Sequence, residues 1–118
     1  MPRTILQIDR RRLERALQTY LEQCFAARSP ARASEFATSL GVSRSYLARL
    51  FPRVLGESVW EALRKRQLVR AEHLLTTTEM STREIASEAG FGTQATFYRV
   101  YTSFRSITPD EYREKWTK

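Results

Sequence analysis

Phe36-Ala37-Thr38-Ser39-Leu40-Gly41-Val42 and Ile85-Ala86-Ser87-Glu88-Ala89-Gly90-Phe91 are two versions of one pattern, and their reading decides the fold. Each ends a helical stretch with a small Ala where helices can cross closely, a Gly able to take the left-handed turn, and an apolar residue beyond it. The correspondence continues about fifty residues apart, with Leu47, Arg49, Leu50 and Phe51 matching Phe97, Arg99, Val100 and Tyr101. One such unit is a weak signal for a helix-turn-helix. Two units joined by a stiff helix, within a stretch from 57 to 84 free of Gly and Pro, are a strong one.

Working outward, Ser43 is the expected N-cap of a helix reaching about Val54, and Ala33 to Leu40 forms the shorter helix before it. In the second unit Ser81 caps a short helix to about Ala89, Gly90-Phe91-Gly92 makes the turn, and Thr93 caps a helix to about Ser103. Between the units, about Ser58 to Thr76 reads as one long helix with Val59, Leu63, Leu68, Ala71, Leu74 and Leu75 on its buried side. At ~1.5 Å per residue such a helix is on the order of 27 Å long, comparable with the ~34 Å between successive major-groove segments on one face of DNA. Upstream, Asp9 caps a helix with Leu13, Ala16, Leu17, Tyr20, Leu21, Cys24 and Phe25 on one face. Downstream, Thr108-Pro109-Asp110 starts a last helix expected to carry Tyr112 and Trp116 into the core. No stretch shows the alternation of a strand, so the expected class is all-α. It comprises about seven homeodomain-like helices, divided as 1–56 (first unit), 57–77 (linker helix) and 78–118 (second unit and last helix).

Charge points to the partner. Lys+Arg 20 against Asp+Glu 13 gives +7, and all the basic residues except Lys65, Lys115 and Lys118 are arginine. Arginine is favoured where a fork-shaped donor must meet phosphate or guanine. In each unit's second helix, the side opposite the apolar face carries Ser45, Ala48 and Arg49, or Gln94, Ala95, Thr96 and Arg99. Arg49 and Arg99 suit bidentate contact to guanine and Gln94 suits adenine, while the methyls of Ala48, Ala95 and Thr96 suit thymine. Ser43, Arg44 and Arg53 in the first unit, and Ser81, Arg83 and Thr93 in the second, are placed to hold phosphates at helix N-termini or flanks. Tyr98 is assigned a phosphate contact from the same outward side.

These residues closely resemble the DNA-binding domain of the AraC/XylS family of bacterial transcription regulators. The resemblance runs over about residues 30–114, through Leu40-Gly41-Val42-Ser43-Arg44-Ser45-Tyr46-Leu47, Ala71-Glu72-His73-Leu74-Leu75, Ile85-Ala86 with Gly90-Phe91, and Ile107-Thr108-Pro109-Asp110-Glu111-Tyr112-Arg113. It implies monomeric binding of double-stranded DNA at an asymmetric site across two successive major grooves, with activation through RNA polymerase. Three positions depart from the family pattern. Gln67 stands where Arg is usual, Pro52 replaces a common basic residue, and Ser106 replaces the usual Gly before Ile107-Thr108-Pro109.

Other classes are disfavoured by what the chain lacks. Cys24 is the only cysteine and His73 the only histidine, so thiolate-rich zinc sites, disulfides and base-activated nucleophiles are not expected. No Gly-rich phosphate loop occurs, and neither enzyme activity nor a cofactor is anticipated. Cys24 is read as a core side chain, His73 as a helix-surface residue, and Trp60 and Trp116 as packing anchors. Met1-Pro2-Arg3-Thr4-Ile5-Leu6 gives way to Gln7 and Asp9 before a signal-peptide core develops, and no apolar run could span a bilayer. A cytoplasmic protein with no membrane partner is expected. Residues 1–28 are too short to enclose a small-molecule ligand, so a stand-alone regulator, favoured by Met1, stands beside the DNA-binding part of a longer ligand-responsive one. A basic helical module binding an acidic protein and a sequence-independent DNA binder are further alternatives. The repeat argues against the former and the Arg and Gln reading positions against the latter.

Overall fold

The structure, a computed structural model, describes residues 9–117; the Met1–Leu6 opening read above for a signal segment lies outside them. Seven helices follow in order: α1 (Arg10–Ala27), α2 (Ala33–Leu40), α3 (Arg44–Leu55), α4 (Val59–Thr77), α5 (Thr82–Glu88), α6 (Gln94–Arg105) and α7 (Pro109–Trp116). No strand occurs among the described residues.

Capping chemistry sets where the helices begin. The side chains of Asp9, Ser43, Ser58, Ser81, Thr93 and Thr108 each accept a hydrogen bond from the backbone N–H three residues on. At α4, α5 and α7 the cap is reciprocal, because Glu61, Glu84 and Glu111 accept from the capping residue's own N–H. Only α2 lacks a side-chain cap. There the Tyr20 hydroxyl accepts from Arg32 N–H at 2.9 Å and donates to Glu35 at 2.7 Å, fastening the start of α2 to α1.

The repeat is exact in its hydrogen bonding. Gly41 and Gly90 have φ of 74° and 76°, and the following residues, Val42 and Phe91, donate to the carbonyls of Ala37 and Ala86 at 3.1 and 2.8 Å. The second turn is one residue longer, with Gly92 adding a further left-handed residue at φ 86°.

Two cores share one helix. Leu13, Leu17, Phe36, Leu47 and Phe51 pack with Val59, Ala62 and Leu63 of α4, whereas Ile85, Phe97, Val100 and Tyr101 pack with Leu68, Ala71, Leu74 and Leu75. The linker helix is thus buried on successive faces in the two halves of a body 51 × 26 × 22 Å. Cys24 is buried and His73 exposed, as read from the sequence.

The second helices run slightly past their expected ends, to Leu55 and Arg105. Helix α3 does so through Pro52, which has no N–H for the Ala48 carbonyl. Trp116 is a correction: it lies 56% exposed at the end of the last helix, against the Tyr112 ring at 6.1 Å, rather than in the core. Trp60 is also partly exposed, yet it packs on Phe104 at 5.5 Å and so joins α4 to the second unit.

Ser106 closes α6 at φ 67°, a conformation costly for a side chain with a Cβ. Ser106→Gly should therefore stabilise the protein by roughly 1 kcal/mol. Denaturant unfolding checks this through a higher midpoint at unchanged slope.

Candidate nucleic-acid interface

Helices α3 and α6 present the predicted reading positions from equivalent scaffolds. On α3, Leu47, Phe51 and Leu55 are buried, which leaves Ser45, Ala48, Arg49 and Arg53 exposed. On α6, Phe97, Val100 and Tyr101 are buried, leaving Ala95 and Arg99 exposed and Gln94, Thr96 and Tyr98 half-buried. Ser43 and Thr93 sit at the two N-caps, with Arg44 exposed in the first turn of α3.

The helix N-termini differ in charge. The first turns of α2, α4, α5 and α7 carry acidic residues: Glu35, Glu61, Glu84, and the pair Asp110 and Glu111. Those of α3 and α6 carry none, nor does that of α1. An acid there stabilises a helix by roughly 0.3–1 kcal/mol through the macrodipole, so its omission from both candidate recognition helices leaves two positive ends open to phosphate. Ser81 stands differently from Ser43 and Thr93. Its hydroxyl accepts from Glu84 N–H at 3.1 Å, and its own N–H donates to the Glu84 carboxylate at 2.9 Å; that backbone bond first, and the Ser81 hydroxyl second, hold the Glu84 carboxyl below the usual range. The α5 N-terminus therefore carries its own anion, with Arg83 exposed beside it.

Several predicted residues in the second unit are held by neighbours. The Gln94 amide donates to Thr82 Oγ1 at 2.6 Å, and Thr93 Oγ1 donates to Thr96 Oγ1 at 3.0 Å. Tyr98 donates its hydroxyl to Asp110, and burial holds its pKa above the ordinary phenol value. Thr82 and Asp110 thus fix the first turn of α6 against α5 and α7, so that Ala95 and Arg99 are the more freely presented pair. Arg105 and Tyr101, by contrast, both bind the Glu72 carboxylate, at 2.8 and 2.9 Å, and are structural.

One basic residue escaped the sequence reading. Arg64, on α4, lies over the rings of Trp60 and Phe91 at 5.8 and 5.7 Å and donates to Gln67 Oε1 at 2.9 Å. Its Nε is buried without a hydrogen-bond partner, and no carboxylate pairs with it among the described residues. Burial first, and then the positive charge of Arg99, hold its pKa below the usual guanidinium value. The linker helix thus places a cation with no carboxylate partner over Phe91 of the second turn, 27 residues away in sequence, a contact that no local pattern reveals.

Among the described residues no three His, Cys, Asp or Glu side chains could share a metal ion, and no helix is long and apolar enough to cross a membrane.

Known proteins share this arrangement. The sequence pattern of a helix-turn-helix domain family matches residues 36–115. The probable transcription factor PqrA of Proteus vulgaris is 37% identical over 81 residues, covering 69% of this chain and 66% of PqrA. The regulatory protein SoxS of Salmonella typhimurium is 37% identical over 79 residues, covering 67% of this chain and 74% of SoxS. Among solved structures, the C-terminal domain of AraT, a response regulator from Geobacillus stearothermophilus, superposes with a TM-score of 0.78 at 30% identity, covering 88% of this chain and 84% of that one. The doubled turn, the shared linker helix and these likenesses agree: the chain belongs to the AraC/XylS family of helix-turn-helix transcription regulators.

Proposed function

We propose that the chain binds an asymmetric operator as a monomer, with α3 and α6 in successive major grooves of double-stranded DNA. The observation that carries this reading is the equivalence of the two presented faces. Each has a hydroxyl N-cap, Ser43 or Thr93, an acid-free first turn and, six residues past the cap, an exposed arginine, Arg49 or Arg99. Arg49 and Arg99 read guanine, and Ala48, Ala95 and Thr96 meet thymine methyls. Ser45 and Gln94 supply further base-edge contacts, Gln94 by exchanging Thr82 for adenine. Ser43, Arg44, Arg53, Thr93 and Arg83 hold phosphates, with Ser81 and Tyr98 at the flank.

The uncompensated Arg64 joins this set as a phosphate contact beside Arg99. Arg64→Ala should lower the salt dependence of binding, as the slope of log affinity against log salt, by about one, with base preference unchanged. Titrations of two duplexes of different affinity check this; an unchanged slope would remove Arg64 from the interface.

Activation by contact with RNA polymerase extends the same family reading. In transcription with purified polymerase from a promoter bearing the bound site, added protein should raise transcript yield. A fall would assign repression instead. The expectations of cytoplasmic location and of no small-molecule ligand in this chain belong to the same proposal.

A further inference from the structure

Three segments distant in sequence meet at the Gln67 amide, in the middle of the linker helix. Gln67 is 0% exposed and lies between Leu63, the last α4 residue of the first core, and Leu68, the first of the second. Its Nε2 donates to the carbonyls of Ala89 and Gly90 at 3.1 and 2.7 Å, while its Oε1 accepts from Arg64. The Gly90 carbonyl also accepts from Ala31 N–H at 2.9 Å, in the α1–α2 connection. Both turn glycines are in contact with that connection. A Cβ at Gly90 would meet Ser29 O at 3.4 Å, and one at Gly92 would meet Pro30 Cγ at 3.2 Å. On the solvent side of this joint, Glu88 pairs with Arg28 at 2.5 Å and Arg70 at 3.8 Å, and Arg70 lies over the Phe25 ring at 5.4 Å.

A lone helix joining two small units could bend, since long helices curve readily. Here the second unit's turn is fastened both to the linker helix and to a segment of residues 28–31 that belongs with the first unit. That segment precedes the 36–115 stretch matched by the family pattern. The glycine in excess of the first turn, Gly92, is the one that Pro30 covers.

From this geometry we infer that Gln67, with the Ser29–Ala31 connection, is a positioning element that fixes α6 relative to α3 and so sets the spacing between the two DNA blocks the protein accepts. The inference rests on the two-groove reading above. Gln67→Met keeps the length of the side chain and removes all three hydrogen bonds, leaving the exposed arginines of α3 and α6 in place.

Two measurements test it. In the absence of DNA, spin labels at Ala48→Cys and Ala95→Cys, with Cys24→Ala, should give one narrow distance distribution that broadens when Gln67→Met is added. On DNA, the parent should lose about 100-fold in affinity when one base pair is added between the blocks, because the second unit can no longer engage with the first. In Gln67→Met that ratio should fall below about tenfold while affinity for the block read by α3, which is remote from Arg64, stays unchanged. Should Gln67→Met not unfold cooperatively, Glu88→Ala, which frees Arg28 and Arg70, should shift both readouts in the same direction. An unchanged width and spacing ratio in a folded variant would overturn the inference. Broadening on substitution in a protein that ignores block spacing would retain the brace and overturn the two-groove reading, and with it the role in spacing.

Discussion

Phe97→Ala should lower stability by about 3–5 kcal/mol, the largest single-substitution loss expected in the second unit. The ring is 0% exposed and stands at the centre of an aromatic cluster, 5.1 Å from Phe91, 6.0 Å from Tyr98 and 5.9 Å from Tyr101. Its loss leaves a cavity beneath the Gly90–Gly92 turn and withdraws the surface on which α6 rests. Against the roughly 5–15 kcal/mol that stabilises an ordinary domain, this removes a large fraction of the total. The effect on binding should be asymmetric, with preference at the block read by α6 weakening while the block read by α3 is still recognised. Denaturant unfolding together with binding to duplexes scrambled in one block measures both. A loss below about 1 kcal/mol would mean that Phe97 is not the core residue described.

Arg49→Ala and Arg99→Ala should each cost about 1–3 kcal/mol of specific binding and relax preference at a single base position. The two positions should lie in different blocks, because the arginines stand on different helices with separate cores. Their penalties should add to within about 0.5 kcal/mol, as expected for sites that share no partner. Both side chains are exposed, so neither substitution should disturb unfolding. Competition with single-base duplex variants gives the preference at every position. If both substitutions relaxed one and the same position, the assignment of one helix to each block would fail.

The helices were legible in the sequence because their starts are chemical and local. Asp9, Ser43, Ser81, Thr93 and Thr108 announce N-caps through a side-chain oxygen that reaches three residues ahead, and the glycines at 41 and 90 mark turns that need positive φ. The exposure of Ser45, Ala48 and Arg49 on α3 and of Ala95 and Arg99 on α6 followed from helical period, whereas Gln94, Thr96 and Tyr98, read as outward, are half-buried and held by neighbours. Trp116 misled because apolar character at the right spacing does not ensure a partner, and α7 ends before its ring finds one beyond Tyr112 and Lys115. Other features depend on contacts between residues far apart in the chain. Thr82 occupies the Gln94 amide, Arg64 lies over the Phe91 ring, and Gln67 holds the second turn, none of which is encoded in a local pattern. Gln67 illustrates the difference. The sequence marked it as a departure from the family's usual Arg, and only the fold shows a buried amide satisfied on both its nitrogen and its oxygen.

Selection from random duplexes with the purified protein, followed by salt titration of the enriched and scrambled DNAs, tests the central claim most directly. The account predicts an asymmetric site with two preferred blocks about one helical turn apart, bound at least 10³-fold better than scrambled DNA. Equal affinity for both duplexes, with the same steep salt dependence, would identify a backbone-only binder and contradict it.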